Sequence, residues 1–206
     1  MKPIHALIAV LSLTPLLPGC AFRLEPGYEP LEPAPIDLAD PVLNQRRIFV
    51  TGNITEASAA DTIRQLLHLD AQNQEPISLY LMTPGGDLKA VLAVVNTLRM
   101  LHSKVDTYAL GECNSGGAVL LAAGTGKRYA FPDSTIVIHG MEMDRKPPAR
   151  YVELTQEAYT AFWRQHARLP ESWLPIPLGE LFFLTAREAL DYGVVDQIIP
   201  LRARRP

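Results

Sequence analysis

The pattern of apolar and polar positions changes character three times along the 206 residues. Residues 6–18 read ALIAVLSLTPLLP, one apolar run behind the single charge of Lys2. A 13-residue run is too short to cross a bilayer core of roughly 30 Å as a helix. It fits the apolar region of a secretory leader, with Lys2 as its basic start. From 21 to 45 the apolar positions thin out among acidic residues and Pro26, Pro30, Pro33, Pro35 and Pro41. Proline lacks a donor N–H and fixes φ, so this stretch predicts an extended tether rather than a helix or central strand.

From Arg46 the texture becomes that of short strands alternating with helices. Arg47–Val50 predicts a strand ended by Gly52, and Thr55 caps a helix running through Gln72. Ile77–Met82 predicts a strand leading into Pro84-Gly85-Gly86. Leu88–Leu101 is apolar nearly all the way round, which predicts a buried helix. Val105–Leu110 is strand-like, and Gly116–Ala123 is small and apolar, suiting another buried helix. Arg128–Phe131 and Thr135–His139 read as strands, and Tyr151–Arg168 as a helix. Thr185-Ala186-Arg187-Glu188 is a capping box for a short helix that Gly193 ends, before a last strand over Val194–Ile199. The alternation predicts an α/β domain over 46–200, with a leader at 1–19, a tether at 20–45 and a basic tail at 201–206.

Composition removes several classes. With 48% apolar and 20% charged residues the chain is not broadly disordered. A net charge of −3 argues against a nucleic-acid partner. Two cysteines build no disulfide framework, and no Cys/His spacing fits a zinc site, so neither metal nor cofactor is expected. Leu17-Pro18-Gly19-Cys20 resembles a bacterial lipobox, with Leu three residues before the Cys and a small residue just before it. The resemblance implies cleavage before Cys20, lipid on its thiol, and a protein exported to the periplasmic face of a membrane. Pro18 departs from the usual residue there, and an ordinary cleaved signal or a retained N-terminal anchor are the alternatives.

Three places hold candidate chemistry. Gly111-Glu112-Cys113-Asn114-Ser115-Gly116-Gly117 runs from a strand into a small-residue helix, which puts Ser115 near a helix N-terminus where negative charge is favoured. The Gly lies four before the Ser, unlike the G-x-S-x-G elbow, and a plain helix cap would use the same residue. Thr83-Pro84-Gly85-Gly86-Asp87 is a glycine turn whose N–H groups can approach a ligand unobstructed. His139 closes the apolar strand Ile136-Val137-Ile138; His68, His102 and His166 lie on or beside helices in polar surroundings, and His5 lies in the leader.

Taken in order, these motifs resemble the ClpP serine peptidase family from about Arg47 to Ile199. The resemblance rests on ISLYLMTPGG, GECNSGGA, LLAAGTGKRYAFPDSTIVIHG and FLTAREALDYGVVDQII, and on the 29 residues from Gly86 to Ser115. It implies a ClpP/crotonase-like superhelix of stacked ββα units, with Ser115 as nucleophile, His139 as general base, and the N–H groups of Gly86 and Gly116 as oxyanion hole. The family places an Asp two residues before the Phe of its FLSA-like motif. Here Phe183-Leu184-Thr185-Ala186 matches that motif, and Leu181 stands at the Asp position. Glu180, one residue earlier, is the carboxylate expected to serve as third member; a Ser–His dyad is the alternative. Asp196 matches a position that looks structural.

Two departures bear on partners. Met141-Glu142-Met143-Asp144-Arg145-Lys146-Pro147-Pro148 stands where the family has a Gly-rich strand that interlocks two rings. Paired prolines are poor strand material, so a homo-oligomer is expected to form a ring but not a double ring. The tether replaces the segment that meets the family's ATPase, so no ATPase is expected, and the substrates are peptides or unfolded protein segments. Competing classes are a Ser–Lys peptidase of the SppA and NfeD type using Lys127 or Lys146, a crotonase-type acyl-CoA enzyme, and a catalytically dead binding or assembly protein.

Overall fold

The computed structural model describes residue 37, residues 39–140 and residues 148–200. The leader, Cys20, most of the tether, the 141–147 segment with Lys146, and the basic tail lie outside the described residues. Just before the first strand a single 3-10 turn, Leu43–Gln45, sends Leu43 into the core. Strand β1 (Arg47–Ile54) then alternates outward residues with buried Ile48 and Val50. Thr55 caps α1 (Glu56–Gln72), its hydroxyl taking the Ser58 N–H while the Ser58 hydroxyl answers the Thr55 N–H.

The remaining elements follow in the predicted order, with one strand, Leu181–Thr185, that the sequence reading did not place. They are β2 (Ile77–Gly86), α2 (Leu88–Met100), β3 (Val105–Asn114), α3 (Gly116–Ala122), β4 (Arg128–Ala130), β5 (Thr135–His139), α4 (Ala149–His166), β6 (Leu181–Thr185), α5 (Ala186–Asp191) and β7 (Gln197–Ile198). Strands β1, β2, β3, β4 and β7 lie side by side and parallel. Strand β3 is long enough to fork the sheet. Its Thr107–Ala109 stretch pairs with β4, and its Glu112–Asn114 stretch pairs with β5. Strand β6 runs antiparallel on the far side of β5. The fold is therefore mixed α/β with a mainly parallel sheet, as in the expected superhelix.

The structure corrects several sequence readings. Strand β1 does not stop at Gly52; it passes that residue through a register shift and continues to Ile54. Strands β2 and β3 likewise run on, to Gly86 and Asn114, because a parallel neighbour supplies ladder partners where local residues look like turns. Helix α2 is not buried all round: Ala90, Val91, Val94, Val95, Thr97 and Leu98 face inward, while Leu92 and Met100 face out. The last strand shrinks to Gln197–Ile198. His166 has polar neighbours as expected, its Nδ1 3.1 Å from the Ala122 carbonyl and its Nε2 3.4 Å from Arg99, but its ring is also half-buried and stacks on Phe162 at 4.4 Å. Asp196 fulfils the structural role expected of it, holding the Arg128 N–H, Nε and Nη2 at 2.6–3.0 Å.

Candidate active site

The site forms where β2, β3 and β5 end together. Thr83 is fully buried near the end of β2. Its hydroxyl donates to the Gly52 carbonyl at 2.6 Å and accepts the Gly85 N–H at 3.0 Å, which pins the Pro-Gly-Gly turn. Gly85 and Gly86 have φ of 103° and 156°, and a Cβ on either would strike neighbouring atoms. On Gly85 it would lie 2.6 Å from Ser115 Cβ and 2.9 Å from the Gly116 nitrogen; on Gly86 it would run into the Ile54 carbonyl. Only glycine allows the two loops this approach. Asp87 ends the turn by accepting the Ala90 N–H at 2.9 Å, which starts α2.

Strand β3 delivers Ser115 at the head of α3. Its backbone sits at φ 54°, ψ −120°, a conformation rarely tolerated outside glycine. Its side chain makes no capping bond to the helix, so the ordinary N-cap role is not the one it plays. Its N–H donates instead to the Val137 carbonyl of β5 at 2.8 Å. The spacing is not that of the hydrolase elbow, yet the turn has the elbow's character: a strained serine presented where a strand becomes a helix. Gly116 opens α3, so its N–H has no partner four residues back within the helix. A Cβ on Gly116 would lie 3.6 Å from the Gly86 nitrogen, which puts these two N–H groups in one small neighbourhood.

His139 ends β5, two residues beyond the Val137 that holds Ser115. Asn114 pairs with Val137, so Ser115 and His139 lie at the adjoining ends of two neighbouring strands. The His139 Nδ1 is 2.5 Å from the Gly140 carbonyl, and the His139 carbonyl accepts from the Tyr159 hydroxyl at 3.0 Å. Leu181 of β6 lies directly opposite His139 in the antiparallel ladder. Glu180 is solvent-exposed, and its contact in this corner is through the main chain, its carbonyl accepting the Gly140 N–H at 3.1 Å. Among the described residues no carboxylate bonds to His139.

Cys113, two residues before Ser115, is fully buried. Burial, with a smaller contribution from Glu112, pushes its thiol well above the ordinary range, so it is no nucleophile. Lys127 belongs to the other end of the sheet. Its neighbour Arg128 pairs with Thr107, eight residues before Ser115 on the same strand, a separation of about 25 Å at ~3.3 Å per residue. No group of His, Cys, Asp and Glu suited to a metal ion occurs among the described residues.

A model of the family described as Clp protease matches residues 32–202. The chain belongs to the Clp protease family. The proteolytic subunit of an ATP-dependent Clp protease from Deinococcus radiodurans is 36% identical over 172 residues, covering 79% of this chain and 84% of that one. Within a Clp protease fold, the register explains why the substitution at 181 matters. A cross-strand pair in an antiparallel ladder puts both side chains on one face, so a carboxylate at 181 would share a face with His139. The structure brings the two glycine turns named in the sequence together at Ser115 and sets His139 at the end of the neighbouring strand; Tyr159 and Gly140, which bond in this corner, were not singled out from sequence. Tyr159 is one position inside the helix predicted over Tyr151–Arg168, and Gly140 is simply the residue after the histidine. The five-residue apolar run Leu181–Thr185, set between Gly179 and the capping box, was the signal available for β6.

Proposed function

We propose that this chain is a serine peptidase that hydrolyses peptides or unfolded protein segments through an acyl-enzyme. The observation that carries the reading is Ser115: strained, uncapped, and tied by its own N–H to the strand that ends in His139. Its family and its Deinococcus relative, named as a proteolytic subunit, support the same chemistry. The Ser115 Oγ attacks the scissile carbonyl carbon while His139 Nε2 takes its proton, which a free serine needs to become a nucleophile. The carbonyl oxygen, now an anion, accepts from the Gly86 and Gly116 N–H groups, and each such donor contributes roughly 10²–10³ in rate. His139 returns the proton to the departing amine, and water then releases the acyl group by the same steps in reverse. Glu180 is the carboxylate next in sequence to position 181, and Glu180→Gln tests its part.

A fluorophosphonate probe, which bonds only to an activated serine, tests this. The expected result is labelling of the parent and of Lys127→Ala, and none of Ser115→Ala or His139→Ala. No labelling of the parent would favour a binding or assembly protein with a dead site, which the leucine at 181 would fit.

The leader at 1–19 and the lipobox-like Leu17–Cys20 support export and lipid anchoring at Cys20 on the periplasmic face. Among the described residues no helix is long and apolar enough to cross a membrane. An exported peptidase has no ATP-driven unfoldase beside it, which restricts it to loose substrates without an ATPase partner. A mass spectrum of the mature protein should begin at a lipid-bearing Cys20; an unmodified Cys20 would remove the anchor.

A further inference from the structure

The peptide unit joining His139 to Gly140 is clamped at both of its polar groups. Its carbonyl accepts from the Tyr159 hydroxyl at 3.0 Å, and its N–H donates to the Glu180 carbonyl at 3.1 Å. A peptide is planar, so bonds at both ends fix its orientation. Gly140 is buried, and a Cβ there would strike the Pro177 carbonyl, so the chain after the clamp is confined as well. The consequence falls on the next carbonyl, that of Gly140, which comes to lie 2.5 Å from His139 Nδ1. A carbonyl only accepts, so Nδ1 carries the proton and Nε2 keeps the lone pair that a general base requires.

We propose that the Gly140 carbonyl orients His139 in place of a triad carboxylate, and that Tyr159 is the positioning residue that holds it there. The inference rests on the peptidase reading above. Tyr159 suits the task. It is 9% exposed, and burial lifts its hydroxyl to about 12, so it remains a donor at any working pH. The alternatives are poorly placed. Glu180 engages this corner through its main chain, and the residue across the ladder from His139 is Leu181, which has no acceptor. A carbonyl fixes the tautomer and the ring plane but brings no negative charge to steady the imidazolium. The site is therefore built for slower turnover than one with a carboxylate at 181.

Two measurements test this. The first, ¹⁵N NMR of the histidine side chains with His139→Gln to assign the resonance, needs no activity. Protonation at Nδ1 in the neutral ring is expected, and an Nε2–H tautomer would overturn the proposal. The second is a cycle of phosphonate acylation rates for the parent, Tyr159→Phe, Leu181→Asp and the double variant, each checked for folding by circular dichroism. Loss of one hydrogen bond that positions a catalytic group should slow the parent about tenfold. Leu181→Asp should raise the rate, since a carboxylate now shares the face of His139. In that background Tyr159→Phe should matter less than about threefold, because the new carboxylate takes over the orienting role. Equal losses in both backgrounds would make Tyr159 a packing residue and overturn its assignment. Glu180→Gln should stay within about twofold; a loss of a hundredfold or more would return the orienting role to that carboxylate. Nδ1–H in the NMR spectrum without acylation in any variant would sink the peptidase reading while leaving the clamp in place.

Discussion

Ser115 holds its backbone at φ 54° although it has a side chain. Such a conformation costs about 1–3 kcal/mol and persists only where surroundings enforce it. Here the enforcing contacts are the Val137 carbonyl on its N–H and the close flank of Gly85. Replacing Ser115 with Gly should remove the strain at the expense of the unfolded-state freedom that glycine adds, about 0.5–1 kcal/mol. The strain term is the larger, so Ser115→Gly is expected to abolish acylation and stabilise the fold by about 1 kcal/mol. Thermal unfolding should show a midpoint about 2–4 °C above the parent. A lower midpoint would mean that the turn is relaxed and that the serine hydroxyl contributes to stability. The serine's identity as candidate nucleophile was legible from GECNSGGA; its strain was not, because φ at 115 depends on how β2 and β5 approach it.

At the scale of elements, what could be read was whatever carries its own local signal. The Thr55 cap, the Thr185 capping box and strand Thr135–His139 appear where the residues predict them. Strand β6 was missed because Leu181–Thr185 is a short run leading straight into a capping box, which does not by itself separate strand from helix, and its partner lies more than 40 residues earlier. Connections between elements were equally hidden, and Asp70 shows what they contribute. Near the end of α1, its carboxylate accepts the Ser103 N–H at 2.7 Å and the His102 N–H at 3.3 Å, tying α1 to the turn before β3. Burial acts to raise this carboxyl, but the bonds from Ser103 and His102 outweigh it and bring it down to about 2. An unfolded Asp titrates near 3.9, so the tie is fully present above that pH and is lost as pH falls through about 2. Asp70→Asn should cost about 2 kcal/mol at pH 7, the range for a hydrogen bond to a charged group. In urea titrations the gap from the parent should narrow between pH 4 and pH 2. A gap that stays constant across that window would assign the loss to shape rather than charge.

The whole molecule leaves more apolar surface open than its sequence pattern suggests. Phe49, Tyr80, Tyr108 and Tyr129 stack ring on ring across β1, β2, β3 and β4, with centroids 4.6–4.9 Å apart. They alternate along their strands with buried Ile48, Leu79 and Ala109, so the ridge stands on the opposite side of the sheet from that core. Parallel sheets are ordinarily covered on both faces. Helix α2 tells the same story: its apolar positions go nearly all round, yet Leu92 and Met100 are 39% and 68% exposed in the single chain. A helix patterned for complete burial but open on one side fits a chain that finishes its packing against another copy of itself, as the expected homo-oligomeric ring requires. Sedimentation at micromolar concentration should therefore give a mass several times the 22.7 kDa of one chain. Leu92→Glu with Met100→Glu should reduce it, since two carboxylates cannot be buried unpaired at an apolar contact. Both side chains point away from this chain's core, so the variant should keep the parent's circular dichroism. If the parent itself sediments as one chain, the outer face of α2 is ordinary surface and the packing argument fails. If the double variant keeps the parent's mass, the copies meet elsewhere, and the aromatic ridge, exposed at Phe49 and half-buried at its three tyrosines, becomes the next face to charge.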